Sequence, residues 1–321
     1  MVPLSINELT TYRWSFEEDV LRYRAAGITA MGVWRTKVSD FGEERAAEFL
    51  ADHGMAVSSL FWAGGFTGGE IVATSDVIAD TEEAIDLAAA LDAGCLILYS
   101  GGRAGHTQRH ALRQFHDALK ILDPIAADRG VTLAIEPMHA SVAGSRMLFS
   151  TIDETLEAID AADCRATKLV FDTYHLGHGR IAPRRIAEIA PHVAIVQLAD
   201  SRGVPQNEQN RCRLGCGMLP LREIVAALVE GGYRGYYDVE LFGQDVESFD
   251  YRELIAHSQR TFARLAVPVL TEPVLTEPVS TEPVSTEPTA EAPVRTPAAA
   301  DRCDFERDAS RRGASGRVGR G

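Results

Sequence analysis

Eight times over, the chain alternates between a short apolar or β-branched run and a longer amphipathic stretch. The runs are VPLSI (2–6), ITAMGVW (28–34), AVSSLFW (56–62), CLILYS (95–100), VTLAIE (131–136), KLVFD (168–172), VAIVQL (193–198) and YYDVEL (236–241). Such alternation is the pattern of parallel strands joined by crossover helices, because helices covering both faces of a strand leave it apolar throughout. Several of the stretches between, such as SFEEDVLRYRAAG and GEERAAEFLADHG, close on a glycine that suits a helix C-cap. Eight such units within residues 1–265 predict an α/β domain of the (β/α)8 type, a TIM barrel. A doubly wound open sheet would favour a glycine fingerprint after its first strand, and SINELTTYR has none.

After Leu265 the composition changes. The segment VPVLTEPVLTEPVSTEPVSTEPTAEAPVRTP repeats TEPVL or TEPVS, with proline too frequent for helix or sheet, and DASRRGASGRVGRG follows it. Residues 266–321 therefore read as a disordered tail, so the function is sought in 1–265. The 46 acidic against 32 basic residues leave a net charge of -14, and the acidic excess persists without the tail. An acidic surface repels phosphate backbones and anionic lipid, so nucleic acid and membrane are not expected as partners. The beginning of the chain carries Glu8 but no basic region with an apolar run behind it, and charges interrupt every candidate span, so a cytoplasmic location is expected. Five scattered cysteines are read as reduced thiols. Homo-oligomerisation is left open.

In a barrel of this kind the active site lies at the C-terminal ends of the strands, so polar residues closing apolar runs carry the information. Glu136 ends its run, Asp172 ends the next, and Gln197 and Glu240 sit late in theirs. Any one of them could be a salt-bridged structural residue. Three carboxylates converging from different strands would repel one another strongly, and a bound divalent cation resolves that repulsion. The all-oxygen set Glu136, Asp172, Gln197 and Glu240 suits Mn²⁺ or Mg²⁺, with Co²⁺ also admissible, and disfavours a structural zinc. His175 follows Asp172 by three residues and reaches the same pocket from the loop above, whereas His139 and His178 end no strand. Trp14, Trp34, Trp62 and Phe66 fall near strand ends, where they could wall a sugar ring as readily as fill the core.

These residues resemble the sugar isomerase/epimerase TIM barrels related to xylose isomerase, ketose 3-epimerases and hydroxypyruvate isomerases. The resemblance rests on AIEPM around Glu136, FDTYH from Phe171 to His175, VQLADS from Val196 to Ser201, RCRLGCG from Arg211 to Gly217, and YDVELF from Tyr237 to Phe242. It implies one divalent metal on Glu136, Asp172, Gln197 and Glu240, with His175 and Arg211 facing the substrate. Leu214 replaces the proline usual in the arginine element, with Arg213 as a fallback for Arg211. Gln197 stands where ketose epimerases usually have histidine.

The implied activity is isomerisation or epimerisation of a sugar, sugar phosphate or keto-acid. Glu136 or Glu240 would remove a proton next to the carbonyl, and the metal would stabilise the resulting enediolate. A keto-sugar lyase or deglycosidase could use the same metal and bases, and a non-enzymatic sugar-binding protein is the third reading. An endonuclease-IV-like nuclease is disfavoured, because SLFWAGG and ILYSGG lack the histidines of a zinc cluster.

Overall fold

The computed structural model describes residues 2–68, 74–144, 146–179 and 181–271. Each of the eight predicted runs contains a strand: β1 Leu4–Asn7, β2 Ala30–Trp34, β3 Ala56–Gly64, β4 Leu96–Tyr99, β5 Leu133–Ile135, β6 Thr167–Asp172, β7 Val193–Leu198 and β8 Tyr237–Val239. They close into a barrel in the order β1-β8-β7-β6-β5-β4-β3-β2, every pair parallel. The amphipathic stretches supply helices such as Phe16–Ala25, Thr74–Ala90, Gln108–Asp128, Ile152–Ala161 and Leu221–Glu230. Two of these begin at capping boxes, Ser15 with Glu18 and Thr151 with Glu154, which satisfy N–H groups that a helix start leaves unpaired.

Apolar side chains divide into two cores, as a barrel wrapped in helices requires. The larger lies between strands and helices, and the smaller fills the barrel with Leu9, Phe61, Cys95, Ile97, Ala134, Val170 and Ile195. Gly64, at the end of β3, has φ 119°, and a Cβ there would stand 2.2 Å from the Tyr99 carbonyl oxygen, so only glycine lets β3 and β4 approach at this point. The start of β6 is pinned by Asp123, whose carboxylate accepts from the Arg165 and Ala166 N–H groups, both at 2.9 Å, and from the Thr167 hydroxyl at 2.7 Å.

The helix Tyr251–Thr271 runs past the expected domain limit at 265, and the repeats and the arginine-rich end that follow lie outside the described residues. Among the described residues Cys95, Cys164 and Cys212 are free thiols, as expected. Among the described residues no helix is long and apolar enough to cross a membrane.

A buried charged network closes the top of β1. Glu8 accepts the Trp34 N–H at 2.6 Å, Lys37 Nζ bonds Asp19 Oδ2 at 2.5 Å and lies 4.0 Å from Glu8 Oε1, and the Thr11 hydroxyl donates to Asp19 at 2.6 Å. Two carboxyls face one ammonium. Burial lifts Asp19 from 3.8 to about 6 against the pull of Lys37, and burial together with Asp19 lifts Glu8 well above its ordinary range. Raised folded-state values mean that the folded chain holds a proton which the unfolded chain has released. This contribution to stability is complete below about pH 4 and is lost as pH rises through 6. Glu8→Gln is therefore expected to be more stable than wild type at pH 7.5, by roughly 1–3 kcal/mol on the linkage scale, with the gap closing by pH 4. Urea unfolding at the two pH values measures it, and a gap that stays constant would refute the shared-proton account.

Candidate active site

Successive residues of a strand point to opposite faces. Ala134, Val170 and Ile195 belong to the barrel's inner core, so Glu136, Asp172 and Gln197, each two residues further on, point the same way into the barrel mouth. Asp172 and Gln197 are register partners on β6 and β7, and Glu240 directly follows β8, its N–H held by the Leu198 carbonyl. All four are buried, and Gln197 donates its Nε2 to Glu240 Oε2.

Arg211 enters from the loop after β7 and ties the group together. Its Nη2 lies 2.9 Å from Asp172 Oδ2, 3.1 Å from Glu208 Oε2 and 3.5 Å from Glu240 Oε1. The guanidinium is packed between two rings, 4.3 Å from the Tyr174 centroid and 4.8 Å from that of Phe242. His175, on the helical turn Thr173–Leu176 that follows β6, places Nε2 3.3 Å from Glu208 Oε1, 3.6 Å from Glu136 Oε1 and 3.7 Å from Asp172 Oδ2. Glu136, Asp172 and His175 thus offer ligand atoms within 4.8 Å of one another. His175, which the resemblance assigns to the substrate, is therefore also within reach of a cation on Glu136 and Asp172.

Trp62, in β3, packs against the inner core with its ring centroid 5.2 Å from that of Phe61, and Phe242, also packed on that core, covers Arg211. Trp14 faces the outer core. Its partners there are Tyr251, with ring centroids 5.1 Å apart, Tyr23, and the Arg22 guanidinium at 4.7 Å. Arg213 lies over the Phe249 ring, 4.2 Å from its centroid. His139 and His178 line, with His175, a cavity of about 370 Å³.

Charge in this cluster is distributed unevenly. Burial, reinforced by Asp172, Glu240 and Glu208, holds the Glu136 carboxyl well above its usual range despite Arg211. Glu240 is also held well above it, by burial and by Asp172 and Glu208, with Arg211 opposing. Burial acts to raise Glu208 as well, but Arg211 and His175 outweigh it and hold that carboxyl down to about 2. One buried cluster therefore contains two carboxyls that readily keep a proton and one that does not, the separation that acid–base chemistry uses.

The residues present fit a divalent cation. Among the described residues Gln197 Oε1 and His175 Nδ1 are buried without hydrogen-bond partners, a costly arrangement that a ligand relieves. Added positive charge would also relieve the repulsion that burdens Glu136 and Glu240. Carboxylate oxygens with one amide oxygen and one imidazole make a donor set acceptable to Mn²⁺, Mg²⁺, Co²⁺ or Zn²⁺.

Sequence reading missed Glu208 and Asp200. Glu208 belongs to no strand, and its one signal is the three-residue spacing from Arg211. Asp200, inside VQLADS, folds the arginine loop: its carboxylate accepts the N–H groups of Ser201 at 2.8 Å, Gly215 at 3.0 Å, Gly217 at 2.9 Å and Leu219 at 3.1 Å. A Cβ on Gly217 would stand 2.1 Å from Asp200 Oδ1, so that residue must be glycine. Asp200→Ala leaves four N–H groups without their acceptor. A loss of roughly 2–4 kcal/mol is expected from the usual cost of buried unpaired groups, measured by denaturant unfolding. An effect below 0.5 kcal/mol would mean that the loop holds itself.

Residues 20–265 match the family model described as xylose isomerase-like TIM barrel. The chain belongs to that family. A Streptomyces coelicolor protein named, provisionally, as a hydroxypyruvate isomerase is 28% identical over 244 residues, covering 67% of this chain and 81% of its own length. The structure of the IolI protein with a bound zinc atom superposes with a TM-score of 0.73 at 17% identity, over 85% of this chain and 100% of its own. That of L-ribulose 3-epimerase superposes at 0.70 and 20%, over 84% and 96%. At these identities the two structures speak for the fold.

Proposed function

We propose that this protein is a divalent-metal-dependent isomerase or epimerase of a small hydroxy-carbonyl compound of the sugar class, working by proton transfer at the carbon next to the carbonyl. One observation carries the reading: Glu136 and Glu240, both buried, stand just past the ends of β5 and β8 with β6 and β7 between them, around a buried arginine and histidine. Carboxyls in such surroundings work as acid and base near neutral pH. Approaching from separated strands, one removes the proton and the other returns it, to the opposite face for epimerisation or to the neighbouring carbon for isomerisation. Glu136, Asp172, Gln197 and Glu240 would hold the cation, with His175 adjacent. A bound divalent cation supplies Lewis acidity at the carbonyl as negative charge develops there. Arg211 and His175 orient substrate oxygens, and Trp62 with Phe242 gives an apolar wall against the carbon chain. The names of the Streptomyces relative and of the ribulose epimerase support this class of chemistry.

The test is solvent deuterium exchange followed by NMR, on protein reconstituted with Mn²⁺ or Mg²⁺ and offered ketoses, keto-acids and their phosphates. Metal-dependent exchange beside the carbonyl is expected. Elimination products would turn the reading towards a lyase, and the absence of exchange with every compound would overturn it.

A further inference from the structure

Glu208 lies in the loop between β7 and Arg211, and with Asn207 it forms two consecutive left-handed residues, at φ 64° and 46°. Neither is glycine, and backbone of this kind persists where its surroundings demand it. What it achieves here is to turn one carboxylate inward, with Oε2 3.1 Å from Arg211 Nη2 and Oε1 3.3 Å from His175 Nε2. Glu208 is 5% exposed and Arg211 1% exposed, so water screens the pair little. The loop is fastened around it: Tyr174 donates to Asn210 Oδ1 at 2.5 Å, Asn210 Nδ2 to the Val204 carbonyl at 2.9 Å, and Gln206 N–H to Tyr174 at 3.2 Å.

Arg211 has three carboxylates within reach. A cation on Asp172 and Glu240 would draw on two of them, leaving Glu208 as the counter-charge that stays with the guanidinium. An arginine already matched by an internal carboxylate offers hydrogen-bond donors but little net charge. A phosphate or carboxylate brought there would meet Glu208 at close range, and like charges so placed in a buried site reject the ligand.

We infer that Glu208 is a specificity-determining residue, which makes the wall formed by Arg211 and His175 accept an uncharged, hydroxyl-bearing part of the substrate and exclude phosphate or carboxylate at that position. The inference rests on the proposed function and narrows its substrate class to sugars that present neutral oxygens to Arg211.

Inorganic phosphate is the direct probe, titrated calorimetrically into metal-loaded wild type, Glu208→Gln and Glu208→Ala. Glu208→Gln keeps the shape and removes the charge, and Glu208→Ala also opens the space. Phosphate affinity is expected to rise at least ten-fold in both variants, and to fall back when Arg211→Gln is added. In the exchange assay the preference for a neutral ketose over its phosphate should drop at least ten-fold in Glu208→Gln. Wild type that binds phosphate through Arg211, or variants that bind it no better than wild type while melting as cooperatively, would overturn the inference. The titration needs no turnover, so failure of all substrates to exchange would sink the proposed function while leaving this result to be judged alone.

Discussion

Glu240→Gln is expected to lower kcat for exchange beside the carbonyl by about 10²–10⁴-fold, the usual contribution of a positioned acid or base. KM should stay within a few-fold of wild type at saturating metal. The amide is isosteric, and its oxygen can still accept the bond from Gln197 Nε2 that Glu240 Oε2 now receives. What the amide cannot do is exchange a proton with carbon. Glu240 is buried and its neutral form is already favoured, so removing its charge should leave the melting temperature unchanged or raise it slightly. This combination separates a catalytic loss from a folding loss. Glu136→Gln, measured in parallel, assigns the second proton: if one variant loses exchange from one epimer only, the two carboxyls work on opposite faces. Exchange within three-fold of wild type in metal-loaded Glu240→Gln would remove Glu240 from the chemistry.

Arg211→Ala should have the largest effect on stability. The guanidinium faces Asp172, Glu208 and Glu240 in a buried site, and three carboxylates together outweigh the cost of burying it, so that it stays charged. Removing it leaves buried like charges without a counter-charge, a change that typically costs about 3–5 kcal/mol. The gap between the two rings of Tyr174 and Phe242 adds to this cost. The pH dependence has a definite sign. Without Arg211, Glu136 and Glu240 rise further above their unfolded values and Glu208 loses the main charge that holds it below its own, so the folded variant takes up protons as pH falls, and the deficit is greatest at pH 8 and shrinks towards pH 5. Mn²⁺ should shrink it too, by substituting positive charge at the same carboxylates. Urea unfolding at both pH values, with Mn²⁺ or with EDTA, tests this. A deficit indifferent to pH and metal would show that Arg211 acts by packing alone.

The barrel was legible because parallel strands covered on both sides must be apolar throughout, and that constraint writes itself into each run separately. Glu136, Asp172, Gln197 and Glu240 were legible for the same reason: a carboxyl or amide closing a buried strand stands out against its neighbours. Strand parity then directs three of them inward, two positions after Ala134, Val170 and Ile195. Trp14 and Trp62 show where such reading stops. Both stand near strand ends in the sequence, yet Trp62 lies within β3 and packs against the inner core, whereas Trp14 lies beyond β1 and packs outside with Tyr23 and Tyr251. Where the strand ends and which way the chain then turns decide between them, and no periodicity records either.

Local sequence thus determined what repeats locally: the eight units, the caps at Ser15 and Thr151, and the polar residues that end the strands. Only the tertiary structure decided the rest. Glu208 acquires its character from Arg211 and His175, and Asp200 from N–H groups up to nineteen residues further along the chain. The elevated proton affinity of Glu136 and Glu240 exists only once burial and neighbouring carboxylates act together. Electrostatic energy depends on distance and on the exclusion of water, and both are properties of the closed barrel rather than of any segment within it.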